Sequence, residues 1–254
     1  MDTGLRQRAR CVRLAPMPSP RACRFGTMLL AALLLGGCGD RSRSDPAAGF
    51  QERAIRINTA WVDRLDALGY FRQLPPDQLG IHRQALLRQG WAALFSGPPH
   101  RLNPADAEDL AEGGLVEFIR TVRPFLVAEG VKLPEVRAET GATGYVLYVG
   151  DVAHVIYSRE ELQRDKDGEQ PGLVRGLSMA RTFALLNHLL AAAGSPERVY
   201  AVGADNDLFA FFLTPELFEL IVRHPDATPP EAPYVPNETY PSFGHPEWIE
   251  GAVP

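Results

Sequence analysis

The sequence predicts an α+β fold in which N-terminal helices are followed by strands and helices in the order βββαββα, with a mostly antiparallel sheet. Three observations carry this expectation. From Phe50 to Val122, apolar residues recur every three or four positions, the period of a single helix face. From Glu135 to Tyr157, near-alternation replaces that period and is interrupted by Gly150-Asp151, a dipeptide suited to a tight hairpin. After one more long helical stretch, two short apolar runs, Arg198–Val202 and Leu208–Leu213, flank a five-residue polar link. Connections this short impose antiparallel pairing.

In chain order, Phe50, Ala54, Ile57, Trp61, Leu65, Leu68 and Phe71 mark the first helix face, ended by Pro75-Pro76. A second helix begins near Asp77, buries Leu86, Leu87, Trp91, Leu94 and Phe95, and stops at Gly97-Pro98-Pro99. Asn103 is expected to cap a third helix, with Pro104 at its first position, where a missing N–H costs nothing. Leu110, Phe118, Ile119 and Val122 form its inner face, and Pro124 forces a bend or a restart before Gly130. Strands are expected at Glu135–Thr140, Tyr145–Val149 and Val152–Tyr157, and residues 158–171 read as a solvated, charged loop. The next helix runs from Leu173 to Ala193 on a stripe of Met179, Phe183, Leu186 and Leu190, and after the second hairpin Thr214 caps a short last helix. The domain spans 49–224; from 225 to 254 follows a Pro-rich tail whose Tyr234, Tyr240, Phe243 and Trp248 suggest packing on the domain or on a partner.

Ahead of all this, Arg21 and Arg24 precede an apolar run from Met28 to Leu35 that ends in Gly36-Gly37, the three parts of a secretory signal. The run is too short to span a bilayer as a stable helix. Leu35-Gly36-Gly37-Cys38 resembles the lipobox of bacterial lipoproteins. The resemblance implies that residues 1–37 are a signal peptide, with Met17 an alternative start. It also implies that Cys38 becomes the lipidated first residue, carrying acyl chains such as palmitate, and that 38–48 tether the domain to a membrane. The expected location is the periplasmic side of a bacterial cell envelope. Gly39, rather than Asp, follows the cysteine, which leans toward the outer membrane. The resemblance covers the leader alone.

Six of the 26 basic residues and one of the 31 acidic ones precede Cys38, leaving 20 against 30 in the remainder. That balance argues against nucleic acid and for a basic partner. Cys11 and Cys23 lie in the leader, so the folded part contains no thiol: disulfides, cysteine metal sites and a cysteine nucleophile are excluded there. Stability then rests on the apolar core.

Motifs for chemistry are sparse. Gly176-Leu177-Ser178-Met179-Ala180 approximates a GxSxG nucleophile elbow, but no strand precedes it, and Ser178 reads as a helix-surface serine. Asp205-Asn206-Asp207 offers oxygen ligands without the bidentate Glu of a calcium loop, so a turn is the expectation. His82, His100, His154, His188, His224 and His245 show no zinc spacing, and neither a metal nor a cofactor is expected. His154 is placed on one face with Val152 and Ile156.

No catalytic residue is assigned, and the reading leans away from an enzyme. The favoured function is a tethered protein-interaction module, for example an inhibitor or immunity-type protein capturing a basic partner. Its binding surface would use Asp205, Asn206, Asp207, Glu160 and Glu161. The alternatives are an envelope hydrolase built around His154 with Asp151 or Asp205, and a structural envelope lipoprotein.

Overall fold

The computed structural model describes residues 58–95, 101–141, 144–228 and 231–246. The leader, Cys38, the tether, His100 and Trp248 lie outside the described residues. The fold is α+β, with seven helices and two three-stranded antiparallel sheets. Helix α1 (58–67) and α2 (Pro76–Gln89) come first, the latter running into a 3-10 turn at Gly90–Leu94. Then follow β1 (Leu102–Pro104), α3 (Ala107–Glu112), α4 (Leu115–Ala128), β2 (Val136–Gly141), β3 (Gly144–Val149) and β4 (Val152–Ser158). The chain continues with α5 (Arg159–Lys166), α6 (Leu173–Ala192), β5 (Arg198–Val202), β6 (Phe209–Leu213) and α7 (Pro215–Val222).

Four details differ from the sequence reading. Instead of one sheet there are two, ordered β2-β3-β4 and β1-β6-β5. Leu102-Asn103-Pro104 is a short edge strand pairing with β6, so Asn103 caps nothing. The cap is Asp106, whose carboxylate accepts from the N–H groups of Glu108 and Asp109. Pro104 is tolerated because an edge strand has one side free of ladder bonds. The supposed loop after Ser158 contains α5, fixed by a capping box: Ser158 Oγ accepts from Glu161 N, and the Glu161 carboxylate accepts from Ser158 N at 2.7 Å. Pro124 sits inside a continuous α4.

Sheet β1-β6-β5 is the centre of the molecule. Val199, Ala201, Ala210 and Phe212 point into one core, shared with α3, α4, α6 and the inner face of sheet β2-β3-β4. Tyr200, Val202, Phe211 and Leu213 point into a second core with α1, α2 and α7. Both faces of β5 and β6 are therefore covered, which is why VYAV and FAFFL read as unbroken apolar runs. Helix α6 packs against both β4 and β5. That explains why Ser178 and Thr182, as well as Phe183 and Leu186, are fully buried: the helix lies between two sheets and has little polar face. Ser178 is thus not a surface serine.

The segment 231–246 closes the open edge of β5. Tyr234 exchanges two backbone bonds with Ala201, at 3.0 and 2.8 Å, and Phe243 is buried against α6.

Candidate functional site

One end of the molecule gathers the acidic turns. Ala105 N donates to Leu208 O at 2.9 Å, docking the start of α3 beside the β5–β6 turn. The Tyr157 hydroxyl donates to Ala111 O at 2.9 Å, docking the other end of α3 beside β4 and α5. Helix α3 therefore runs from the Asp205–Asp207 turn to the Tyr157 side chain of β4. Burial pushes the Tyr157 phenol up, and the charges of Glu112 and Asp165 add to the shift. Burial likewise raises the Tyr234 phenol, with Asp205 contributing. Glu112 and Asp165 thus lie near the Tyr157 phenol and Asp205 near the Tyr234 phenol.

A cavity of about 290 Å³ is lined by Asp205, Arg175, Met179, Tyr234, Phe243 and the Pro171-Gly172 bend. Arg175 is engaged by Glu108 at 2.9 Å, so its charge is offset. Asp205, Asn206 and Asp207 are exposed on a 3-10 turn, with Asp205 at φ 48°.

The two glutamates expected beside them diverge. Glu160 is exposed at the first turn of α5, opposite the end that carries Asp165. Glu161 is committed internally: besides its cap it receives Arg181 Nη1 and Nη2 at 2.9 and 2.8 Å, and Arg181 also holds Glu238. Burial pushes the Glu161 carboxyl up, but the bonds from Arg181 and Ser158 outweigh it and hold the group below the usual range. Arg181 ties α5, α6 and the C-terminal segment together. Only the Ser-x-x-Glu signature at Ser158–Glu161 could have announced this role from sequence.

His154 is half-exposed, paired across the ladder with Leu147. Val152 lies opposite Val149 and His154 opposite Leu147, on the buried side of β3, so Val152, His154 and Ile156 share one face as expected, with Val152 exposed at its end; the bulge opposite Tyr145/Val146 adds Tyr157 to the buried side. Neither His154 nor Asp151 lines the 290 Å³ cavity or the largest concavity.

That largest concavity, about 1010 Å³, lies between α2, α4 and the α6–β5 link. Its carboxylate, Glu129, accepts from Arg72 at 2.6 Å, from Ser195 Oγ at 2.6 Å and from Gln73. Arg72 also reaches the buried Glu197 at 2.8 Å. Beneath it Arg101, wholly buried, donates to Glu197, Phe212 O, Tyr70 O and Gly69 O at 2.7–3.0 Å. Burial pushes the Glu197 carboxyl up, and Arg101 and Arg72 offset part of that. These ion pairs and hydrogen bonds bind the α1–α2 layer to the central sheet, and they occupy the Glu129 carboxylate and the Ser195 hydroxyl at the rim.

Among the described residues, no group of three or more His, Cys, Asp or Glu could hold a metal ion, and no helix is long and apolar enough to cross a membrane. No family model, curated protein or solved structure matches the chain.

Proposed function

We propose that the protein is a bacterial lipoprotein, anchored through Cys38 on the periplasmic side of the envelope, whose domain captures a basic protein partner as an inhibitor or immunity-type module. The observation that carries the binding half of this reading is the exposed Asp205–Asp207 turn docked at the start of α3, with Glu112 exposed at the other end of that helix. Opposite charge on a partner would be steered to that end, and the encounter would weaken as salt rises. The anchoring half rests on the Leu35–Cys38 pattern. The outer membrane is the favoured destination, by the residue following Cys38.

Fractionation tests the anchor: the wild-type chain sediments with membranes and Cys38→Ser is released, whereas identical partitioning would overturn it. Crosslinking and affinity capture from the native envelope test the binding. A basic protein retained at low salt, released at high salt and lost on Asp205→Asn with Asp207→Asn is the expected result; retention of nothing, or of partners indifferent to salt, rejects the acidic interface.

A further inference from the structure

The edges of the two sheets are treated differently. On β5, the Asn187 side chain accepts from Val199 N at 2.6 Å and donates to Val199 O at 3.2 Å, while Tyr234 pairs with Ala201. That edge is closed to any further strand. Among the described residues, the outer edge of β4 has no such cover over its first half.

Its backbone geometry follows from the hairpin. Val149 and Val152 flank a two-residue turn in which Gly150 has φ 59° and Asp151 is not in the positive-φ region, the type II′ arrangement. The flanking pair is hydrogen-bonded, so by alternation Leu147 and His154 form the next bonded pair. Ala153 and Val155 therefore aim their N–H and C=O groups away from β3, and among the described residues neither has a backbone partner outside the ladder. Both are exposed, Val155 by 56% and the neighbouring Val152 by 59%. Beyond them the bulge intervenes and Arg181 occupies Ile156 O at 3.0 Å, ending the open stretch.

Charge says what fits here. From Val152 to Ser158 the strand contains no Asp, Glu, Lys or Arg, in a chain that is otherwise strongly acidic after its leader. Asp151 precedes the strand and Arg159 follows it, both exposed and neither in an ion pair among the described residues. An antiparallel copy of the same strand would bring each end toward its opposite charge.

We propose that the β4 edge is a self-association surface that takes β4 of a second copy, related by a two-fold axis at His154. Ala153 of each copy then lies opposite Val155 of the other, and the two pairs exchange four backbone bonds. His154 faces its counterpart in a non-bonded pair. Two acidic molecules meet along an uncharged strand, merging their three-stranded sheets into one. The contact is short, so association is weak in dilute solution and rises with local concentration. It does not depend on the basic partner proposed above.

The test is oxidative trapping in the full chain carrying Cys11→Ser, Cys23→Ser and Cys38→Ser. His154→Cys is expected to give a disulfide-linked dimer, because non-bonded antiparallel pairs bring Cβ atoms within disulfide reach. Ala184→Cys, at an exposed position on α6, is expected to remain monomeric. Adding Ala153→Pro to His154→Cys removes an N–H that β3 does not use, and should lower the dimer yield about tenfold. Val155→Lys, a change at an exposed position, should do the same by setting charge against the partner strand, and serves where the proline variant fails to fold. Equal trapping at 154 and 184, or a yield unchanged by Val155→Lys, overturns the proposal.

Discussion

Gly176→Ala is the perturbation whose sign separates tertiary packing from local propensity. Gly176 lies in the first turn of α6, where alanine is the better helix former by about 1 kcal/mol. On propensity alone the variant should be more stable. The Phe243 ring, however, occupies the position of the added methyl group, and Phe243 is 3% exposed. Either the ring is forced off its site, losing about 1.5–3 kcal/mol of aromatic burial, or neighbouring groups shift at about 1–3 kcal/mol of overpacking cost. Setting the propensity gain against either loss leaves a net destabilisation of up to about 2 kcal/mol. Urea denaturation reads it as a lowered midpoint at unchanged slope. In a Phe243→Ala background the obstruction is gone, and the same substitution should be neutral or stabilising by up to about 1 kcal/mol. A raised midpoint for the single variant, or no coupling with Phe243→Ala, would refute the docking of the C-terminal segment on α6.

Arg101→Met should destabilise by about 3–5 kcal/mol, since it strands the buried Glu197 and three carbonyl acceptors; chemical denaturation measures it, and a loss under 1 kcal/mol would contradict the network. Burial lowers His82 and His224 below the usual imidazole value, for His224 against the pull of Asp226. The unfolded chain then binds protons that the folded chain does not, so stability is full above about pH 6.5 and falls as pH drops below it. Denaturation midpoints at pH 7 and pH 5 should show that decline, and His82→Gln with His224→Gln should flatten it. Glu161→Gln should cost about 1–2 kcal/mol at pH 7 through the weakened cap and Arg181 contacts. The Glu161 carboxyl is held below its unfolded value, so the difference should shrink as acid protonates it; a cost constant from pH 7 to pH 3 would count against the assignment.

The parts legible in the sequence are those written locally. Gly150-Asp151 announced the β3–β4 hairpin, Thr214-Pro215 the start of α7, and the stripe of Met179, Phe183, Leu186 and Leu190 the long α6. What stayed hidden was of two kinds. Pairing of β1 with β6 joins residues over a hundred positions apart, and three residues with a proline carry no strand period. That same long-range pairing is what divides the strands between two sheets. Helix α5 buries none of its residues, so apolar periodicity could not reveal it; only the Ser158–Glu161 capping box marks it in the sequence. At the site, the Asp205–Asp207 turn was readable as a polar link between strands. Its docking at the start of α3 was not, because packing alone brings them together. The near-elbow Gly-Leu-Ser-Met-Ala also gains a physical reason: Gly176 makes room for Phe243, 67 residues later, and Ser178 faces the core.

The central claim is that the location of negative charge, and not its total, recruits a basic partner. The direct measurement compares affinity capture from the native envelope by two triple variants of equal net charge. One carries Glu112→Gln, Asp205→Asn and Asp207→Asn along α3 and the turn. The other carries Asp77→Asn, Glu135→Gln and Glu216→Gln at exposed positions elsewhere. The account predicts that the first loses a salt-sensitive basic protein which the second retains. Equal retention by both, or equal loss from both, would contradict it.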